Sequence, residues 1–234
     1  CLEEVANHAI ALLLASAKKL VLLNNLVKQG RWGDTRQVMA PMAPVHGQTL
    51  GIVGAGNIGR CVAGKAKCFG LKVLGYDPYV DKTMAKKAGI TLLSSLPELL
   101  NKSDFVSVHA FLNDETRHMI GTNEFRQMKP TAYLINTARG PIVDEAALIK
   151  ALQEKRIAGA GLDVFEKEPL AADNPLLKMD NVVVLPHSAS YSDAALEIHP
   201  INPSQEVARV LSGRWPNNVV NAGVKPKVNL VKGN

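Results

Sequence analysis

The chain has 234 residues, of which 47% are hydrophobic and 21% are charged; this composition is typical of globular proteins and excludes a wholly disordered chain. The net charge of +6 is spread evenly, with two excess positive charges in each of residues 1–46, 47–189 and 190–234, and only 5% of the residues are aromatic. Because nucleic-acid surfaces cluster basic residues and mix them with aromatics, no nucleic-acid partner is expected.

Neither a membrane segment nor a disulfide framework is expected. The longest uncharged apolar stretch near the start, residues 9–17, is too short to span a bilayer. The three cysteines, at positions 1, 61 and 68, include no Cys-x-x-Cys motif. We therefore expect Cys61 and Cys68 to be buried thiols in a reducing, cytoplasmic compartment, and no metal site. The chain begins without Met or a signal-peptide pattern, so we expect a piece of a longer protein.

In chain order, residues 1–29 are predicted to form one long helix. Their apolar residues recur at helical spacing, Glu3 and Glu4 favour the first turn, and Gly30 supplies a stop. Residues 30–47 are rich in Gly and Pro and are predicted to form a loop.

After residue 47, short apolar runs alternate with helical segments. Strands are predicted at residues 49–53, 72–76, 105–108, 132–135, 158–162 and 182–185. Helices are predicted at residues 58–69, 81–88 and 144–154. A capping box at residues 95–98 predicts the start of a further short helix. Such alternation requires a parallel sheet covered on both faces, so the predicted fold class is a doubly wound α/β domain.

The first predicted strand runs into a glycine-rich turn, Gly54-Ala55-Gly56-Asn57-Ile58-Gly59. Gly54 permits the tight turn, Gly56 lets a pyrophosphate approach the backbone, and Gly59 allows close helix–strand packing. The amides at the start of the following helix would face the anion. The alternative interpretation is an ordinary tight turn between a strand and a helix.

Asp77 ends the second predicted strand, 21 residues after Gly56. A carboxylate here can accept hydrogen bonds from both hydroxyls of an adenosine ribose and would repel a 2′-phosphate. No Arg or Lys that could bind such a phosphate follows until Lys82. The preferred cofactor is therefore NAD rather than NADP. The alternative is that Asp77 is a turn residue before Pro78.

Three polar residues, Arg139, Glu168 and His187, follow predicted strands, at the edge where open parallel sheets bind ligands. Beside a nicotinamide, the Arg would hold and polarise a 2-oxo acid, the His would transfer a proton, and the acid would keep the His charged and oriented. Individually, the three could instead be a helix cap, a solvated loop residue and a core histidine. His109 is a weaker proton-transfer candidate that we interpret as part of the pocket wall.

Residues 3–8, 136–145 and 161–169 closely resemble the D-isomer-specific 2-hydroxyacid dehydrogenases, a family that includes phosphoglycerate dehydrogenases, glyoxylate/hydroxypyruvate reductases and the C-terminal-binding-protein corepressors. The resemblance implies a Rossmann NAD-binding domain and a catalytic trio of Arg139, Glu168 and His187. It also implies cofactor contacts, from pyrophosphate to adenosine to nicotinamide, by Gly54, Gly56, Asn57, Ile58, Gly59, Asp77, Ala110, Phe111, Thr116, Thr137, Ala138, Arg139, Asp163, His187 and Ala189. Among these, Asp163 would accept a hydrogen bond from the nicotinamide carboxamide.

The same resemblance implies a domain plan. Residues 1–46 would form a hinge helix and dimerisation arm, residues 47–190 the NAD-binding domain, and residues 191–234 a segment returning to a second lobe that is mostly absent from this sequence. That lobe normally holds the substrate carboxylate and contributes to substrate selectivity. A homodimer is therefore expected, and glyoxylate, hydroxypyruvate, phosphohydroxypyruvate and bulkier 2-oxo acids all stay open as substrates.

The implied activity is NAD-dependent hydride transfer between a D-2-hydroxy acid and its 2-oxo acid. For these 234 residues alone, we expect cofactor binding with little catalysis. Two alternatives remain: an NAD(H)-responsive, corepressor-like binding module, and a catalytically dead cofactor-domain fragment.

Three departures from the family pattern stand out. Phe111 replaces a usual Pro, and Ser190 replaces a Trp of the corepressors. Pro200 and Pro203 fall in the returning helix, where each removes a hydrogen bond, so a break is predicted near residues 198–203.

Overall fold

The computed structural model describes residues 1–42, 44–217, 219, 221 and 223–231, without the side chain of His199. The chain forms two compact units, Cys1–Ser190 and Tyr191–Asn234.

The first unit is built on one parallel sheet. Within the described residues its strands are β1 (Thr49–Val53), β2 (Lys72–Tyr76), β3 (Thr91–Leu92), β4 (Phe105–Val108), β5 (Tyr133–Asn136), β6 (Gly159–Leu162) and β7 (Val182–Val184). Their spatial order is β3-β2-β1-β4-β5-β6-β7. The chain thus winds outward from β1 in both directions, which confirms the predicted doubly wound sheet.

Helices cover both faces of this sheet. They are α1 (Leu2–Ala17), α2 (Leu20–Lys28), α3 (Thr35–Met39), α4 (Asn57–Cys68), α5 (Lys82–Lys87), α6 (Leu96–Lys102), α7 (Thr122–Gln127) and α8 (Glu145–Gln153). One core cluster joins the sheet to α6, α7 and α8, and the other joins it to α1 and α4. Because both faces are covered, every residue of β4 and β6 is buried.

The predicted single helix over residues 1–29 is wrong, because the chain breaks between α1 and α2. Lys19 adopts a left-handed backbone conformation with φ of +51°, and its ammonium group donates a hydrogen bond to the Val38 carbonyl at 2.7 Å. The backbone N–H of Lys18 closes the end of α1 on the Leu14 carbonyl. Local capping and this contact with α3 therefore override the helical spacing of the apolar residues.

Two further expectations about this part of the chain fail. The predicted loop at residues 30–47 contains α3 and a 3₁₀ turn, Trp32–Asp34, which are joined by the Thr35 hydroxyl donating to the Trp32 carbonyl at 2.7 Å. The expected burial of Cys61 and Cys68 is also wrong, since Cys61 is half-buried and Cys68 is exposed. The inward face of α4 is formed instead by small and apolar residues, Gly59, Val62, Ala63 and Ala66.

The second unit contains α9 (Asp193–Leu211), which runs through Pro200 and Pro203, so the predicted break near residues 198–203 is wrong. Ser192 caps its start by accepting a hydrogen bond from the Ala195 amide. The Ser204 hydroxyl donates to the Pro200 carbonyl at 2.7 Å and adds a local bond where the prolines remove backbone donors. A proline φ is itself compatible with the helix, so each loses a backbone bond without forcing the helix to end.

Within the described ranges, no single helix has both the length and the apolar composition that a membrane crossing requires. Helices α1 and α2 meet that test only as a pair, which is bent by 62°.

Candidate active site

The glycine-rich turn joins β1 to α4, and the fold itself requires two of its glycines. Gly54 has a φ of +91°, and a Cβ there would lie 2.6 Å from the Ala110 backbone nitrogen. A Cβ on Gly59 would collide with the Gly54 carbonyl oxygen. These two positions are therefore fixed by backbone packing, independently of any ligand.

Gly56 differs from Gly54 and Gly59, because the fold does not require a glycine at this position. Its φ is −65°, which any residue adopts, and a Cβ there would meet no atom within 4 Å. It is exposed and caps α4 without a side-chain hydrogen bond to the first-turn amides. A glycine that the protein does not need, beside a helix N-terminus, leaves the space that a pyrophosphate would fill.

Asp77 lies just beyond β2 and binds the glycine turn directly. One carboxylate oxygen accepts a hydrogen bond from the Ala55 amide at 2.8 Å, and the other accepts from the Tyr79 and Val80 amides at 2.9 and 3.1 Å. The carboxylate therefore orders its own turn and joins it to the glycine turn. Its predicted contact with the adenosine ribose stays a prediction.

The predicted adenosine-side residues lie on the loop after β4. The backbone of Ala110 packs against Gly54. Thr116 donates its hydroxyl hydrogen to the Phe111 carbonyl at 2.6 Å and accepts from the Asn113 amide at 2.9 Å. The Phe111 side chain is 83% exposed, so this aromatic ring is an accessible surface in place of the usual Pro.

Arg139 is presented by a turn that Asn136 holds together. The buried Asn136 side chain accepts from the Ala138 amide at 3.0 Å and donates to the Arg139 carbonyl at 3.1 Å. Arg139 itself is exposed, and its guanidinium donates to the Ala138 carbonyl at 2.6 Å. Thr137, between them, is buried, and its hydroxyl oxygen has no hydrogen-bond partner among the described residues. Such an orphaned polar atom fits a site that completes its hydrogen bonds with a ligand.

Glu168 and His187 form a direct pair. His187 Nδ1 lies 2.7 Å from Glu168 Oε2, and Glu168 Oε1 accepts from the Phe165 amide at 3.0 Å. Burial raises the pKa of Glu168, but the hydrogen bonds from His187 and the Phe165 amide, with the charges of His187 and Arg139, outweigh it and leave the pKa below its usual value. The structure thus joins two members of the predicted trio directly and places Arg139 near enough for its charge to act on Glu168.

Asp163 fixes the loop that carries His187. It is fully buried, and its oxygens accept from the amides of Ser188 and Ala189 at 2.9 and 2.8 Å. Its own carbonyl accepts from the His187 amide at 2.8 Å, and His187 takes a left-handed φ of +53°. On α1, His8 Nε2 lies 3.3 Å from Asp163 Oδ1, at ion-pair distance but without hydrogen-bond alignment. The predicted carboxamide contact of Asp163 stays a prediction.

His109 has a neutral imidazole near pH 7. Burial lowers its pKa to about 4, and its Nε2 lies 2.8 Å from the buried Ser107 hydroxyl. It is therefore not a charged proton donor at neutral pH, and the proton-transfer role of His187 stays a prediction.

Comparisons with known proteins identify the family to which this fold belongs. The model of the D-isomer specific 2-hydroxyacid dehydrogenase NAD binding domain matches residues 10–189. A glyoxylate reductase from Korarchaeum cryptofilum is 45% identical over 95% of this chain, which spans 67% of that protein's length. A D-3-phosphoglycerate dehydrogenase from Methanocaldococcus jannaschii is 38% identical over 97% of this chain, which spans 43% of its length.

A crystal structure of D-lactate dehydrogenase from Aquifex aeolicus, complexed with NAD and lactic acid, superposes with a TM-score of 0.81 at 36% identity, over 91% of this chain and 67% of that one. The fold and the site define a Rossmann-type NAD-binding domain. The chain belongs to the D-isomer-specific 2-hydroxyacid dehydrogenase family, as its sequence motifs predicted, and it carries that family's NAD-binding domain. The predicted cofactor, NAD, is confirmed at the level of the domain.

Proposed function

We propose that this chain is the cofactor-binding part of an NAD-dependent oxidoreductase that interconverts a D-2-hydroxy acid and its 2-oxo acid. The observation that carries the proposal is the Glu168–His187 pair, held 2.7 Å apart on loops at the same sheet edge as the glycine turn. The Korarchaeum relative named glyoxylate reductase makes glyoxylate the first substrate to test, with hydroxypyruvate and phosphohydroxypyruvate next.

When bound, NADH would supply the hydride, and the side chains of this protein would stabilise the developing charge and transfer the proton. With Nδ1 of His187 engaged by Glu168, Nε2 is the nitrogen available to donate a proton to the carbonyl oxygen of the substrate. The lowered pKa keeps Glu168 ionised, so it can stabilise a positive charge on the imidazole. Arg139, exposed at the end of β5, would hold the substrate carboxylate and the developing negative charge.

The cofactor would lie across the carboxyl ends of the strands. The Asn57 and Ile58 amides would hold the pyrophosphate, and Asp77 the adenosine ribose. Ala110, Phe111 and Thr116 would line the adenosine side. Thr137, Ala138, Arg139 and Asp163 would border the nicotinamide, with Ala189 as a further cofactor contact. The orphaned Thr137 hydroxyl and the open space at Gly56 support this placement.

The proposed organisation has three parts. Residues 1–46 would be a hinge and dimerisation arm, residues 47–190 the NAD-binding domain, and residues 191–234 a return segment to a substrate lobe. Large exposed apolar side chains on the arm support a homodimer contact, namely those of Leu20, Val21, Val27, Trp32 and Met39. Cys61 and Cys68, which form no disulfide, support a reducing, cytoplasmic location.

The test is the turnover of 2-oxo acids by the full-length gene product with NADH, followed as the loss of NADH absorbance. We expect glyoxylate or a related 2-oxo acid to be reduced to the D-hydroxy acid. His187→Ala should abolish most of this turnover while leaving NADH affinity nearly unchanged. NADH binding without reduction of any 2-oxo acid would instead favour a binding module, and turnover by His187→Ala at the wild-type rate would remove His187 from the role.

A further inference from the structure

A second set of side chains holds the loop that carries Glu168, and none of them belongs to the proposed catalytic trio. His118 Nε2 lies 2.6 Å from Glu166 Oε1. Glu166 and Glu145 bind each other's backbone: the Glu166 amide donates to Glu145 Oε2 at 3.0 Å, and the Glu145 amide donates to Glu166 Oε1 at 3.3 Å. Asn174 donates to the remaining Glu145 oxygen at 2.8 Å. We call these four residues, His118, Glu145, Glu166 and Asn174, the clasp.

The clasp joins loops that follow three different strands. His118 lies on the loop after β4, and its amide donates to the Pro141 carbonyl at 2.8 Å. Glu145 begins α8, just after the turn that presents Arg139. Glu166 is two residues before Glu168 on the loop after β6. The clasp thus spans the two loops that carry Arg139 and Glu168 and anchors both to a third.

Backbone packing under the clasp makes the same connection. A Cβ on Gly140, the residue after Arg139, would collide with the backbone of Phe165. Phe165 in turn donates its amide hydrogen to Glu168 at 3.0 Å. A shift of the loop after β6 would therefore change the position of Glu168 relative to both Arg139 and His187.

The stability of the fold does not explain the clasp. The His118 and Glu166 side chains are both substantially exposed, and ion pairs in such positions contribute little to stability. The backbone of His118 takes a left-handed φ of +52°, which is uncommon for residues other than glycine, and its amide is held by the Pro141 carbonyl. An exposed pair that adds little stability but connects the loop after β4 to the loop of a proposed catalytic carboxylate points to a role in geometry.

We infer that His118, Glu145 and Glu166 are positioning residues, which hold the Glu168 loop against the Arg139 turn so that Glu168 meets His187 in the productive orientation. The inference rests on the proposed function. His118 acts through Glu166 and has no assigned contact with substrate or cofactor. Its removal should therefore lower kcat while leaving cofactor affinity in place.

The experiment compares His118→Leu, His118→Gln and Glu166→Gln in the full-length protein. We expect His118→Leu to lower kcat about 10- to 100-fold, with the NADH Kd changed less than about twofold, because a small misplacement of a catalytic group costs rate more than binding. His118→Gln keeps a side-chain donor and should recover most of the loss. Hydrogen exchange of the backbone amides at residues 165–168 should be faster in His118→Leu than in wild type.

Lys102→Met is the matched control, because it breaks an ion pair of the same length, 2.6 Å to Glu98, on α6. It should change neither kcat nor exchange at residues 165–168. Wild-type kcat in both His118→Leu and Glu166→Gln would overturn the positioning role and leave the proposed function standing. A loss of kcat in His118→Leu that His118→Gln does not recover, with unchanged exchange at residues 165–168, would also overturn it. A wild-type protein that reduces no 2-oxo acid would overturn the proposed function, and the positioning role with it.

Discussion

The substitution Gly56→Ala should weaken cofactor binding while leaving the stability of the fold nearly unchanged. The φ of −65° at Gly56 suits alanine, and the added methyl group would meet no protein atom within 4 Å. Restricting the unfolded chain favours alanine by about 0.4–1 kcal/mol, whereas glycine is the better N-cap by a comparable amount. The free energy of unfolding should therefore change by less than about 1 kcal/mol.

The effect on cofactor binding should be much larger. If the pyrophosphate crosses the turn at Gly56, the methyl group occupies its path, and relieving an overlap of this size costs about 1–3 kcal/mol. That corresponds to an increase in the NADH Kd of about 5- to 150-fold. Titration calorimetry with NADH and chemical denaturation of the same preparations measure the two quantities.

Gly54→Ala is the control, because it should lower the stability of the fold, which Gly56→Ala should leave nearly unchanged. Gly54 has a left-handed φ of +91°, and the new Cβ would lie 2.6 Å from the Ala110 backbone nitrogen, so the backbone must shift. The free energy of unfolding should therefore fall by at least about 2 kcal/mol. Wild-type NADH affinity in Gly56→Ala would refute the proposed path of the pyrophosphate. A loss of stability in Gly56→Ala as large as that in Gly54→Ala would refute the geometry of the turn.

Two other predictions concern Glu168 and the end of α8. The pKa of Glu168 lies below its ordinary 4.5, so its ionised form stabilises the fold above about pH 4.5 and that contribution is lost as the pH falls through the lowered value. Glu168→Gln should reduce the acid-side loss of stability in denaturation curves measured against pH, and an acid-side loss equal to that of wild type would contradict the assignment. Lys155 follows α8 with a φ of +54°, so Lys155→Gly should raise the free energy of unfolding by about 1 kcal/mol. Unchanged or lower stability would show that this conformation is not strained.

The sheet was predictable because its strands are nearly continuous apolar runs between turn residues. The bounds predicted for the strands β1, β2 and β4 agree with the structure, and those for β5, β6 and β7 differ by one residue. The two-residue β3 and the six-residue α7 were missed, since neither is long enough to show a period. The break at Lys19 was missed for another reason, because the apolar spacing continues across it and the contact with Val38 is tertiary.

The placement of the three candidate catalytic residues was more predictable than the contacts that hold them in place. Residue types after successive strands predicted that Arg139, Glu168 and His187 share one sheet edge, because the carboxyl ends of parallel strands meet there. The partners that orient them could not be predicted in the same way. Asp163 holds the His187 loop through backbone amides, and His118 reaches Glu166 across 48 positions of sequence. Such contacts leave no periodic or spacing signal.

The hydrogen bonds around the site also explain why binding and turnover should separate in this chain. Asp77, Asn136 and Asp163 each fix a turn through backbone amides within the first unit, so the proposed cofactor surface is ordered by contacts of this unit. Arg139, by contrast, is exposed, and the one hydrogen bond that its guanidinium makes among the described residues goes to the neighbouring Ala138 carbonyl. A substrate that binds this exposed side chain must pay the cost of ordering it. If Arg139 holds the substrate as proposed, these 234 residues should bind the cofactor with largely intact affinity and turn over 2-oxo acids only slowly.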